Sequence, residues 1–272
     1  MERSPEVPSR GIVAAPLLTR QAGRVAAGAF LSRLRLPSPE SRREGLARLS
    51  AWSRNAGVSA VVLEEDASSL IPDLRALGFD DAGPLPRYSS PVRPGWLRRN
   101  VPALLLPRAR IPAEATVVPE ALSAAEESSL RERLAPEFGA VAGLADGLPL
   151  PAAGVHLVRG GEPVASCRFE PADGGALTVP FWIAPPREPD LTALLAASVL
   201  AAAGPASSAW FETPHRLLAR GLLLARFLPR RSRARVLVRQ HGDRDLPAPS
   251  IADWHLTTPT ATGECKGGRE AL

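Results

Sequence analysis

The sequence predicts an α/β (α+β) chain of two modules, each a mixed, mostly antiparallel sheet flanked by helices, and three observations lead there. A helix, strand, helix order occurs twice, around residues 41–79 and 191–227. A run of three short apolar segments joined by glycine-rich turns lies before the second occurrence, as expected of antiparallel strands. A proline-dense stretch separates the two. With 272 residues, 45% hydrophobic and 22% charged, the chain has an ordinary globular balance and is long enough for two modest domains.

In chain order, Val25 to Leu36 fits either a strand or, given Ala26, Ala27, Ala29 and Leu31, a helix. Ser41-Arg42-Arg43-Glu44 reads as a capping box, followed by apolar Leu46, Leu49 and Trp52 and a stop at Asn55-Ala56-Gly57, which predicts a helix. Val58 to Leu63 is short, apolar and rich in β-branched residues, the pattern of a buried strand, and Leu70 to Leu77 is a second helix ended by Gly78. Pro84, Pro86, Pro91, Pro94, Pro102, Pro107 and Pro112 then forbid long regular elements and leave room for one short strand near Leu104. The first module is assigned to residues 11–92 and the connector to 93–112.

The second module, 113–258, opens with a strand at Thr116 to Val118 and a capping box at Ser123-Ala124-Ala125-Glu126 that starts a helix running to about Leu134. Val155 to Val158, the turn Arg159-Gly160-Gly161-Glu162 and Val164 to Phe169 form a hairpin. Leu177 to Ile183 adds a third strand after the turn Asp173-Gly174-Gly175. Leu191, Leu194, Leu195 and Val199 have helical spacing up to Gly204. Ala209 to Phe211 is a buried strand, and Thr213-Pro214 opens a helix carrying Leu217, Leu218, Leu222 and Phe227. Ser59-Ala60-Val61-Val62-Leu63-Glu64 is echoed by Ser208-Ala209-Trp210-Phe211-Glu212, a short repeat within matching elements. Residues 259–272 read as a flexible tail.

Composition narrows the function classes. The formal charge is +5, carried almost wholly by arginine, with Lys266 the only lysine, a skew expected of GC-rich coding. The densest basic run, Arg230, Arg231, Arg233 and Arg235, lacks interleaved aromatics for base stacking and is expected to be a solvated charged edge. Cys167 and Cys265 lie far apart, and His156, His215, His241 and His255 are scattered, so neither a disulfide framework nor a metal-ligand spacing is present in the sequence. No segment reaches the roughly 18 uncharged apolar residues of a bilayer span, and residues 1–10 are polar where a secretory signal is apolar. The expected location is the cytoplasm, with neither membrane nor nucleic acid as partner.

Pro39-Glu40-Ser41-Arg42-Arg43-Glu44-Gly45-Leu46-Ala47, the helix and strand after it, and Leu74-Arg75-Ala76-Leu77-Gly78-Phe79 together resemble the GNAT (Gcn5-related N-acetyltransferase) superfamily. The resemblance covers about the C-terminal half of one GNAT domain. Family members place Arg/Gln-x-x-Gly-x-Gly/Ala at the start of a helix, which Arg42-x-x-Gly45-x-Ala47 matches, and Leu77-Gly78-Phe79 resembles the usual ending of the next helix. The resemblance implies acetyl-CoA or another acyl-CoA as co-substrate, held by Arg42, Arg43, Gly45 and Ala47. The first turn of a helix offers unpaired N–H groups and the positive end of the dipole to a pyrophosphate, small residues admit it, and arginines add charge-assisted bonds.

The second module fits a whole GNAT domain in its element order, but its loop reads Arg187-Glu188-Pro189-Asp190-Leu191-Thr192, which sets a carboxylate where a pyrophosphate would sit. Many members use as general acid a tyrosine four residues before the glycine of the Leu-Gly-Phe ending; Leu74 and about Leu222 occupy that place, and Tyr88, the one tyrosine, lies beyond the helix. Glu64, Glu65, Asp66, Glu212 and His215, near the ends of the parallel-type strands, are the acid or base candidates. The expected function is acyl-CoA-dependent N-acyl transfer to a small-molecule or peptide amine. The alternative is a catalytically silent GNAT-like scaffold. The first module is short of residues before its loop, so either it borrows strands from the second or the start of the fold is missing.

Overall fold

A computed structural model describes residues 12–21, 24–34, 39–53, 58–63, 65–91, 114–142, 150–171, 176–202, 208–231, 234–240 and 250–256. The first part of the chain gives β1 (Ile12–Gln21), β2 (Arg24–Leu34), α1 (Pro39–Ser53), β3 (Val58–Leu63), a 3₁₀ turn (Glu65–Leu70), α2 (Ile71–Ala76), β4 (Asp80–Pro84) and β5 (Arg87–Pro91). The second gives β6 (Ala115–Val118), α3 (Ala124–Leu134), β7 (Ala140–Ala142), β8 (Gly154–Arg159), β9 (Glu162–Pro171), β10 (Ala176–Ile183), α4 (Pro189–Ala202) and β11 (Ser208–Glu212). It closes with α5 (Arg216–Leu224), β12 (Leu228–Arg230), β13 (Arg235–Gln240), a 3₁₀ turn (Ile251–Asp253) and β14 (Trp254–His255). The predicted class, a mixed and mostly antiparallel α/β fold flanked by helices, is the class observed.

The strands form two seven-stranded sheets, in the orders β14-β7-β1-β2-β3-β13-β4 and β12-β5-β11-β10-β9-β8-β6. Each holds a parallel pair, β2 with β3 and β10 with β11, next to antiparallel neighbours; β14 with β7 is also parallel. The two sheets exchange strands. β13, from the end of the chain, lies antiparallel between β3 and β4, while β5, from the first part, lies antiparallel between β11 and β12. The two crossovers run side by side: Leu85 N–H donates to the Ala234 carbonyl on one sheet, and the next residue, Pro86, accepts from Thr213 N–H on the other. With β7 and β14 also joining the first sheet, strands from the second part of the chain flank β1 to β3 on both sides.

Burial explains why these segments take these forms. β3 is buried on both faces: Val61 and Leu63 pack with Leu49, Leu70, Leu74, Phe79 and Leu237, and Ala60 and Val62 with Leu17, Val236 and Val238. The larger core gathers α3, α4 and α5 around β8 to β11. At Ser123 the capping box is complete, its hydroxyl accepting from Glu126 N–H while the Glu126 carboxylate accepts from Ser123 N–H. Gly160 and Gly161, at φ 61° and 86°, make the hairpin turn that the sequence predicts.

Four local expectations are changed. Of the segment Val25 to Leu36, the residues up to Leu34 form the strand β2. α1 begins at Pro39, so Ser41 lies within it; Pro39 suits the first helical position and Glu40 the positive end of the dipole. α5 begins at Arg216, with the His215 ring, in place of Thr213-Pro214, as its cap. The proline-dense stretch contributes β5, whose Tyr88 is a buried core residue. Glu64, the strand near Leu104, the stops at Asn55-Ala56-Gly57 and Gly204, the turn at Asp173-Gly174-Gly175, Arg233, Cys265 and the tail lie outside the described residues.

Candidate functional site

Two places follow from the fold: the start of α1 after the parallel strand β2, and the C-terminal ends of the parallel pair β10 and β11. With Pro39 as its first residue, α1 leaves the amides of Glu40 and Ser41 without partners in its own ladder, while the Gly45 amide falls in the second turn, where it faces the carbonyl one turn back. Gly45 is buried, whereas Arg43, Glu44 and Ala47 are exposed. Residues 43 and 47 share a helix face from which 45 points away, so the helix does not gather these three around one point. Arg42 is the fourth residue of the helix.

The corresponding helix start in the second part of the chain is preceded by an ion pair and packed against α5. The Glu188 carboxylate accepts from Arg159 Nη1 and Nη2, at 2.5 and 3.0 Å, just before α4. α5 lies hard against the same turn: a Cβ on Gly221 would come within 2.4 Å of Thr192 Cβ and 2.7 Å of the Pro189 carbonyl oxygen. Asp190 lies in the first turn of α4 beside this ion pair.

β10 and β11 pair only from Ala176–Ser208 to Thr178–Trp210 and then diverge, with an irregularity in β10 between Thr178 and Phe181. Such a divergence at the carboxyl ends of parallel strands is where ligands of open sheets gather. Here a buried polar cluster fills it. Trp182 Nε1–H donates to the Glu212 carbonyl across the gap at 3.3 Å. His255 Nε2 lies 2.7 Å from the Trp182 carbonyl oxygen, which can only accept, so this nitrogen carries the proton. Nδ1 of His255 is then the acceptor for the Thr213 hydroxyl, at 3.5 Å, and that hydroxyl accepts from His215 N–H at 3.1 Å. Phe138 stacks on the His255 ring and meets the His215 ring edge-on.

Both histidines are held neutral. Burial pushes His255 well below the ordinary histidine value; the bond to the Trp182 carbonyl opposes the shift, and the nearby Arg131 and His215 reinforce it. Burial also lowers His215, opposed by the Asp253 carboxylate. Nδ1 of His215 accepts from Leu218 N–H at the start of α5, where a positive charge would meet the positive end of the helix. Glu212, at the end of β11, accepts from Arg87 Nε and Nη2 at 3.0 and 2.7 Å, and the Arg87 guanidinium lies over the Trp210 ring. His215 and Glu212 are therefore committed to a cap and an ion pair. The 3₁₀ turn holds the backbone of Glu65 and Asp66 beyond β3.

A second buried network, absent from the sequence expectations, ties α3 to β9. Glu127 accepts from Arg168 Nε at 2.8 Å and from the Ser166 hydroxyl at 3.2 Å, and Arg168 also donates to the Pro151 and Leu122 carbonyls. Arg131, one turn along from Glu127, is fully buried and donates to the Ala142 carbonyl in the other sheet; burial pulls its guanidinium down to about 10, opposed by Glu127. Burial also pushes the Cys167 thiol far up, which keeps it an inert core residue. Among the described residues, no group of three His, Cys, Asp or Glu could hold a metal ion, and no helix is long and apolar enough to cross a membrane.

No family model matches the chain, and no curated protein matches its sequence. Solved structures do match. The chain is similar to a GCN5-related N-acetyltransferase from Anabaena variabilis at 14% identity and a TM-score of 0.47, over 85% of this chain and 59% of that one, less than two thirds of its length. It is similar to a GCN5-related N-acetyltransferase from Kribbella flavida at 18% identity and a TM-score of 0.43, over 86% of this chain and 90% of that one. A third, from Sphaerobacter thermophilus, has 11% identity and a TM-score of 0.40, over 85% and 76% of the two chains. These solved structures are GCN5-related N-acetyltransferases, the superfamily that the sequence from Pro39 to Phe79 resembles.

Proposed function

We propose that the chain is a tandem GNAT-like N-acyltransferase of the cytoplasm, with modules at 11–92 and 113–258 joined by 93–112, that takes its acyl group from acetyl-CoA or another acyl-CoA. Acyl-CoA is held at the start of α1. The observation that carries this reading is the Arg42-x-x-Gly45-x-Ala47 segment in a helix that follows a parallel strand and whose first amides have no partner within its own ladder. The Glu40 and Ser41 amides and the charges of Arg42 and Arg43 hold the pyrophosphate; buried Gly45 lets the helix pack closely.

In the reaction the acceptor, a small-molecule or peptide amine, attacks the thioester carbonyl with its lone pair. The C–N bond forms, the C–S bond breaks, the thiolate leaves, and the amine proton passes to solvent. The protein contributes chiefly by holding the two reactants together.

A second reading, a catalytically silent GNAT-like binding protein, is favoured by one finding. Leu74 and Leu222 stand at the same place relative to the ends of α2 and α5, where the resembled enzymes use tyrosine, and Glu212 and His215 are engaged elsewhere. Calorimetry with acetyl-CoA, paired with a thiol-release assay in a mixture of amines, separates the readings. The full chain is expected to bind acetyl-CoA, and Arg42→Glu/Arg43→Glu to weaken it about a hundredfold, while Asp190→Ala leaves it unchanged. Absence of binding sinks the acyl-CoA reading, and binding without thiol release supports the scaffold. Because Gly45 is buried, Gly45→Asp would also destabilise α1 and is the poorer probe.

A further inference from the structure

α5 has leucines on both sides. Leu218 and Leu222, with Ala219 and Gly221, pack into the core, while Leu217 and Leu223 are 45% and 48% exposed. At helical spacing the exposed residues Leu223, Arg216, Arg220 and Leu217 form one outward arc, within which half-buried Leu224 turns against the core. The chain then leaves the helix through exposed Arg226 to the edge strand β12, where Leu228 and Arg230, in register with Ser89 and Arg87, stand on the sheet face away from α5. No aspartate or glutamate occurs between Thr213 and Gly242. Among the described residues, Arg216, Arg220, Arg226, Arg230 and Arg231 pair with no carboxylate; Arg230 donates to the Ser89 hydroxyl.

Leucines standing half out of the surface among uncompensated arginines need an occupant that is both apolar and anionic. We infer that the outer face of α5 docks on the surface of an anionic phospholipid bilayer, with Leu217 and Leu223 entering the headgroup boundary and Arg216 and Arg220 meeting lipid phosphates. A second copy of the chain would bring arginine against arginine across a two-fold axis. Nucleic acid would use the arginines but gain little from the leucines, and the face has no aromatic side chain for base stacking. A lipid surface uses both. The sequence expectation of no membrane partner rested on the lack of a spanning segment; lying on a bilayer requires none.

Vesicle flotation of the full chain tests the inference, with phosphatidylglycerol–phosphatidylcholine vesicles against pure phosphatidylcholine. Flotation is expected with the first and not with the second. Leu217→Ser/Leu223→Ser should weaken it tenfold or more, and Arg216→Gln/Arg220→Gln several-fold, with circular dichroism unchanged because these side chains face outward. Failure to float with anionic vesicles overturns the inference, as does flotation indifferent to the leucine substitutions, which would be adsorption by charge alone. Displacement from vesicles by duplex DNA that the leucine variant still binds normally would assign the face to nucleic acid. Concentration-dependent dimerisation abolished by the same variant would assign it to a second copy.

Discussion

A histidine that gives both ring nitrogens to neighbours cannot also relay protons, and His255 is in that position between the Trp182 carbonyl and the Thr213 hydroxyl. Its neutrality has a measurable cost. In the unfolded chain a histidine takes up a proton near its ordinary value of about 6.5, whereas the buried His255 and His215 have depressed affinity for one. The unfolded state therefore binds more protons below that value, so stability is complete above about pH 6.5 and is lost as pH falls through 6 and 5. The unfolding free energy in urea is expected to drop by up to about 1.4 kcal/mol per pH unit for each histidine in that window, and His255→Gln to flatten the slope. A variant slope equal to that of the parent would remove His255 from this role. Of the cluster the sequence marked only His215, as an acid or base candidate; the rest was not legible, because Trp182 and Thr213 lie 73 and 42 residues from His255 and only the tertiary fold brings them together. The Glu127–Arg131 spacing likewise resembles an exposed helical pair, and nothing local marks both side chains as fully buried.

Helix ends show what local sequence does encode. α2 ends with Gly78 at φ 85°, its N–H donating to the Arg75 carbonyl and Phe79 N–H to the Leu74 carbonyl. α5 ends in the same way, with Arg226 N–H donating to Leu223 and Phe227 N–H to Leu222, but Arg226 takes the left-handed position at φ 61° with a full side chain. The Leu-Gly-Phe ending was readable because glycine announces that backbone conformation; its counterpart, Ala225-Arg226-Phe227, carries no such sign. Arg226→Gly is expected to raise stability by about 0.5–1 kcal/mol, the relief of left-handed strain less the added freedom of the unfolded chain, measurable as an upward shift in the denaturant midpoint. A fall would mean that the Arg226 side chain earns more than its strain. Capping at Ser123 and the Gly160–Gly161 turn were legible for the same local reason. β5 was not, since the prolines at 84, 86 and 91 argue against a regular element there and its partner strands lie beyond residue 207.

The exchange of β5 and β13 makes each sheet depend on the other half of the chain. A cut between residues 91 and 114, in the stretch assigned as connector, would leave β5 seated between β11 and β12, and β13 between β3 and β4. The nicked protein is expected to elute from a sizing column at the volume of the intact chain and to part into two pieces only in denaturant; separation in native buffer would contradict the exchanged order. Either half made alone should fail to fold, because each would lack the strand adjoining its parallel pair. The same exchange constrains synthesis on the ribosome. β3, apolar on both faces, has β2 available as soon as it emerges, but its other edge stays open until residues 235–240 have been made. Through the intervening synthesis the chain carries an unsatisfied strand with amyloid-like composition, and its survival rests on how fast translation, or a chaperone, covers that edge.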